Sequence, residues 1–326
     1  MRNWIAPALV AMSLSSAGCG NGSDVQTSAP ADGEAEATVE SLTENSDRTD
    51  GMFTLFRDRA DGTVRMLIPA DRLGKEYVYN ATIQDAPYAA GQWRGNTGIW
   101  TKNGTVRIER DFGRIRFVEE NVSFHFDPES PLSRASDANI SPAVLAVAEI
   151  EAEDESGAVL IDVGPVFRTE AFVQLKPSPD PNGNGGPKFD LGSLSDDKTR
   201  FTELRSYPQN LDLFVDYVYE NPAPVEDGGE GVTDARFVTM RVQHSLIQVP
   251  GDDFQPRSYD PRVGYYLRRV THLTSTSAAP WLDYINRWHL QKKDPGAELS
   301  EPVEPIVFWI ENTTPVEFRE TIAEAT

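Results

Sequence analysis

A mainly β body of the α+β class, rich in antiparallel strands with few short helices, is predicted by three features of the sequence. Short segments alternate apolar and polar residues from Met52 onward and again between Val144 and Val249. Gly, Asp and Asn pairs punctuate them, and helix-start chemistry is scarce until the C-terminus.

Met52 to Arg57 and Thr63 to Ile68 alternate on either side of Asp61-Gly62, the pattern of a hairpin. Glu76 to Ile83 and Gly98 to Lys102 continue it. Asn103-Gly104 is expected to turn the chain into Thr105 to Arg110, and Asp111-Phe112-Gly113 turns it again into Ile115 to Glu119. Asn121 to Phe126 is expected to extend this meander, which would keep one face wet. Val144 to Ile150 and Ala158 to Val163 read as strands around an acidic turn, Glu151 to Gly157. An irregular Pro- and Gly-rich insert runs from Lys176 to Asp197, and Leu211 to Tyr219 and Ala235 to Val249 are long strands around the loop Glu226 to Gly231.

The two ends differ from this body. Arg2, an apolar stretch from Trp4 to Leu14 and the small residues Ser15 to Gly18 precede Cys19, the order of a secretory signal peptide over residues 1–18. The apolar stretch is well short of the roughly 20 residues a membrane-crossing helix needs. Small residues directly before the single cysteine of the chain suit a lipoprotein signal peptidase, so Cys19 is expected to carry a lipid and hold the protein at a membrane of the cell envelope. An unpaired thiol is otherwise an odd residue for an oxidising compartment. Gly20 follows where an inner-membrane retention signal has Asp, which favours the outer membrane.

Residues 19–50 hold eight carboxylates against Arg48, a net −7 out of −21 for the chain, with no aromatic residue, and read as a flexible acidic tether. The absence of a basic face disfavours nucleic acid as a partner. A body over residues 51–300 follows, and then a last segment, 301–326. In it Ile306 to Ile310 suits a strand buried on both faces. Thr314 and Pro315 have the chemistry of an N-cap and first helical position for a helix from Val316 to Ala325.

Several phrases in this chain resemble consecutive blocks of a known family. They are Tyr259-Asp260-Pro261-Arg262-Val263-Gly264-Tyr265-Tyr266, Ile285-Asn286-Arg287-Trp288-His289-Leu290 with Lys293-Asp294-Pro295, and Pro305-Ile306-Val307-Phe308-Trp309-Ile310-Glu311-Asn312-Thr313. Gly51 to Phe56, Ile68-Pro69, Leu73 to Glu76, Ser130 to Leu132 and Tyr207 to Asn210 agree with the same family. It is a family of large bacterial zinc-dependent metalloproteases, in which a domain of unknown function precedes a metzincin-like catalytic domain. The resemblance implies that residues 301–326 open a truncated catalytic domain. It also implies that zinc belongs to full-length relatives, in a helical H-E-x-x-H whose imidazoles share one face. This chain has four histidines, none followed by Glu and no two four residues apart, so it is expected to be inactive alone, with a protease catalytic domain as its partner. The alternative reading is a free-standing lipoprotein binding module.

No catalytic or metal residue is assigned. His125 and Asp127 share a strand face but are two ligands only; His244 alternates with apolar neighbours as a hydrogen-bonded sheet residue; His272 and His289 lack ligand-spaced neighbours. Asp180 to Gly185 opens like a calcium loop, but Leu191 stands where a bidentate Glu is needed. The acid-rich Glu151 to Glu155 is read as a solvated turn. Trp281, Tyr284 and Trp288 are spaced as the buried stripe of a helix, and Arg268-Arg269 is too small to be a charged patch.

Overall fold

The computed structural model describes residues 37–90, 100–136, 138, 140–176, 189–251 and 253–325. Cys19 and the Asp180 to Gly185 loop lie outside the described residues.

Most of the strands join one antiparallel sheet. Its order begins with β1 (Ser46–Thr49), β2 (Thr54–Asp58) and β3 (Val64–Ile68). Next come β9 (Val159–Asp162), β8 (Ala143–Glu153), β6 (Arg114–Glu120), β5 (Trp100–Asp111) and β4 (Glu76–Asp85). Then β13 (Phe237–Gln248) and β12 (Asn210–Glu220) follow, with β10 (Ser193–Leu194) and β11 (Arg200–Ser206) sharing the outer side of β12.

Period-two alternation puts every second residue on one face. Val64, Met66 and Ile68 of β3, Tyr77, Tyr79, Ala81 and Ile83 of β4, and Leu211, Leu213, Val215, Tyr217 and Tyr219 of β12 belong to one continuous core. Register shifts at Gln84 of β4 and Thr202 of β11 leave one unpaired residue each, and such bulges bend and twist a strand.

The bent sheet brings its two ends together. The N–H of Met52, just before β2, donates to the Tyr207 carbonyl at 2.6 Å, and the Ser206 hydroxyl donates to the Phe53 carbonyl at 2.7 Å. The interior of this barrel-like body is filled by the short helix α2 (Gly164–Phe167) and the turn after it, through Val166, Phe167, Phe172, Val173 and Leu175.

The β2/β3 hairpin forms at Asp61-Gly62 as expected, with Gly62 at φ 77° and Asp61 accepting the Thr63 N–H at 2.8 Å. Phe112 likewise takes a positive φ of 53° in the turn between β5 and β6. Other expectations fail for identifiable reasons. Asn103-Gly104 is not a turn: β5 runs straight through it, with Asn103 opposite Asn80 and Gly104 opposite Tyr79. A Cβ at Gly104 would come within 2.6 Å of the Glu119 carboxylate, so the glycine admits a neighbouring side chain, not a reversal. Glu151 to Glu153 belong to β8, Glu151 paired to Arg65 at 2.6 Å, and only the residues from Asp154 onward turn.

Residues 37–50 are folded, where the sequence predicts a flexible tether. Helix α1 (Val39–Thr43) starts on a capping box between Thr38 and Ser41, and β1 follows it. Its two large apolar residues, Val39 and Leu42, cover Phe56 and Leu160 on the outside of the sheet. Five helical residues are unstable alone, and this tertiary contact is what holds them. Strand β11 is not legible in the sequence: it is seven residues long and the bulge at Thr202 breaks its alternation.

β7 (Phe124–His125) does not extend the meander. It joins a separate three-stranded sheet, parallel to β14 (Leu267–His272), which pairs antiparallel with β15 (Trp281–Ile285). Trp281 and Tyr284 therefore sit on a strand, not on a helix stripe. Ile306 to Ile310 forms no strand, whereas helix α3 (Val316–Ala325) spans the expected residues and starts just after Pro315.

Gly51 stands where the sheet ends meet, and a Cβ there would lie 2.4 Å from the Ser206 carbonyl carbon and 2.6 Å from the Tyr207 nitrogen. Gly51→Ala is expected to lower stability by about 1–3 kcal/mol in urea unfolding, because backbone must move. Gly113→Ala, which meets nothing within 4 Å, should stay within about 0.5 kcal/mol of the wild type. Equal midpoints for the two would show that the seam does not hold the body together.

Candidate interaction surface

His244 is the most deeply placed of the histidines. It is 1% exposed on β13, opposite Ala81 of β4 and Leu213 of β12. Tyr79 Oη lies 2.8 Å from Nδ1 and Tyr217 Oη 2.8 Å from Nε2. Tyr217 also meets the Phe167 carbonyl, which can only accept, so its one proton goes there. Its oxygen must then accept from His244, which puts the imidazole proton on Nε2 and leaves Nδ1 to accept from Tyr79. Burial drives the His244 pKa down to about 3. The ring is therefore a neutral link that ties α2 to the sheet wall, in agreement with the hydrogen-bonded sheet residue expected.

The other histidines lie in or near the small sheet. Parallel pairing sets His125 opposite His272, with ring centroids 4.9 Å apart, a meeting of residues far apart in sequence that ligand spacing does not reveal. The Asp127 N–H donates to Thr274 Oγ1 at 2.9 Å. His289 stands 3.6 Å from an Asp253 carboxylate oxygen, with its ring edge-on to Phe254. Among the described residues no three His, Cys, Asp or Glu side chains come together as a metal site.

What the C-terminal region offers is apolar surface. Beyond Leu246, Ile285 is the one large apolar side chain buried among the described residues. Tyr266 is 89% exposed, Phe308 64% and Trp309 91%, and Val316, Phe318 and Ile322 of α3 face outward as well. In β14 and β15, Arg269 clasps Asp283 through two bonds of 2.7 and 2.8 Å while its guanidinium lies 5.3 Å from the Trp281 ring centre. That pair holds a half-exposed indole in place as a rigid edge of the surface.

Residues 98–293 match the model of a family described as a domain of unknown function, DUF5117. The chain belongs to that family. No curated protein and no solved structure matches it. The matched segment of this DUF5117 chain starts just before β5 and ends after β15, so it takes in the small sheet whole and the large sheet without β1 to β4. Of the four omitted strands, β4 lies between β5 and β13 and shares their core. The folded unit is therefore larger than the family segment.

His244 links pH to stability. The unfolded histidine binds a proton near its ordinary value of 6.5, while the folded one resists protonation until about 3. Between these values the unfolded state holds more protons, so stability falls as the pH drops from 6.5 toward 3, with a slope of up to about 1.4 kcal/mol per pH unit. His244→Leu should flatten that part of the profile, at a cost of about 1–3 kcal/mol at neutral pH for the stranded tyrosine hydroxyls. Urea unfolding at a series of pH values measures both, and an unchanged slope in the variant would assign the acid sensitivity elsewhere.

Proposed function

We propose that this chain is the non-catalytic part of a cell-envelope zinc-dependent metalloprotease, a lipid-anchored β body whose C-terminal apolar surface receives a metzincin-like catalytic domain. The observation that carries the reading is the contrast in burial. The body up to Leu246 encloses its own core, whereas the run Ile306 to Ile310 and the outer side of α3 present Phe308, Trp309, Phe318 and Ile322 to solvent. Contiguous exposed aromatic and aliphatic side chains mark interaction sites on soluble proteins. The resemblance of Pro305 to Thr313 to the opening of a catalytic domain supplies the partner. No residue of this chain is assigned to zinc, whose ligands and general base belong to the partner domain.

The DNA downstream of the Thr326 codon tests the reading most directly. An open frame or adjacent gene encoding H-E-x-x-H is expected, and the catalytic domain it encodes should bind this chain. Trp309→Asp with Phe308→Asp should weaken that binding by at least about 2 kcal/mol while leaving the unfolding of the β body unchanged. Peptide hydrolysis by this chain alone in the presence of zinc would overturn the assignment.

The self-contained core also favours a second reading, a free-standing lipoprotein binding module. Cooperative unfolding of residues 37–305, with a bound protein or glycan retained and no protease gene nearby, would select it. Both readings place the chain at the envelope through Cys19. Metabolic labelling with a radioactive fatty acid should mark the chain and fail on Cys19→Ala; label on both would remove the anchor.

A further inference from the structure

A cleft of about 370 Å³ opens beside the seam of the barrel, between the β2/β3 hairpin, the start of β11 and the end of α2. Three arginines from distant parts of the chain line it: Arg57 of β2, Arg168 directly after α2, and Arg200 of β11. Their donors are not used up. Arg57 Nη2 is buried with no hydrogen-bond partner, and the side chain of Arg168 has neither an ion pair nor a hydrogen bond among the described residues. Arg200 reaches only Asp216, at 3.7 Å.

The carboxylates in the lining do not supply the missing acceptors. Asp162 Oδ1 takes the Gly164 N–H at 2.7 Å, and Asp61 Oδ1 takes the Thr63 N–H at 2.8 Å. Gly164 keeps room for Arg168: a Cβ there would lie 3.1 Å from Arg168 Nη2 and 3.2 Å from Nε. Burial also pulls the Arg57 pKa below its ordinary value, with Asp47 opposing in part. A guanidinium that has lost water without gaining an acceptor carries a desolvation cost that a bound oxygen would remove.

We infer that this cleft is a binding site for a small oxyanion, a carboxylate or a phosphate group, held by the Arg57 and Arg168 guanidiniums. Each presents planar N–H donors that match the oxygens of either group. The lining also contains Asp61, Asp162 and Asp197, so the fit depends on directed hydrogen bonds and not on a large positive field. The site rests on the seam geometry alone and is independent of the C-terminal docking surface.

Calorimetric titration of the full chain with inorganic phosphate and, separately, with acetate, at constant ionic strength in chloride, tests the assignment. Saturable binding of at least one probe is expected, and which one binds tells whether the site suits a tetrahedral or a planar group. Arg57→Gln and Arg168→Gln should each weaken it about tenfold or more, whereas Arg236→Gln, whose partner is Asp234 on the surface, should leave it unchanged. Should Arg57→Gln fail to fold, Arg168→Gln decides, since its side chain holds nothing in place. No saturable binding of either anion to the folded wild type would overturn the site, as would wild-type affinity in both folded cleft variants.

Discussion

A sheet whose inner face is largely apolar has to meet itself, and in this protein that meeting takes place between Gly51 to Phe53 and Ser206 to Tyr207. An open edge exposes unpaired backbone donors and acceptors and leaves the large side chains behind it accessible to water. Here the Met52 N–H and the Ser206 hydroxyl pass from one end of the sheet to the other. Closing the sheet makes an interior too wide for wall residues alone, so α2 and the turn through Leu175 are drawn in to fill it. Their backbone carbonyls would be stranded there, and Tyr217 meets those of Phe167 and Thr169. The Tyr79–His244–Tyr217 chain is thus a consequence of closure: a polar strut that lets irregular backbone lie inside a barrel-like core.

Closure also explains why three arginines from distant parts of the chain gather at the seam. Side chains from β2, β11 and the end of α2 come together only because the ends of the sheet do, and Arg57 and Arg168 are left with donors that the body does not satisfy. The C-terminal region follows a different logic. Its small sheet is held by backbone pairing and the Arg269–Asp283 clasp, with Ile285 buried beneath, while most of its aromatic surface stays in water. The body encloses its own core, whereas this region leaves most of its large apolar residues outside.

Much was legible in the sequence because it is local. The β2/β3 hairpin, the β5/β6 turn at Phe112, the long pair β12 and β13, and α3 follow from side-chain periodicity and turn chemistry within a few residues. His244 was recognisable as a sheet residue from its alternating neighbours. Membership in a family built around a domain of unknown function was likewise present in the order of short phrases.

Where the local pattern misleads, a distant partner decides. Gly104 continues a strand because Glu119 needs the space, and an acidic segment folds as α1 because Phe56 and Leu160 need a cover. Trp281 and Tyr284 sit on a strand because β14 offers them a ladder, and His125 faces His272 because β7 leaves the meander to join it. The sequence by itself determined the β2/β3 hairpin, β12 and β13 and which face of each is apolar, since these depend on neighbours two to four residues away. Tertiary structure alone decided the closure of the barrel, the buried tyrosine–histidine strut and the arginine cleft, because each needs residues that only the fold brings within bonding distance.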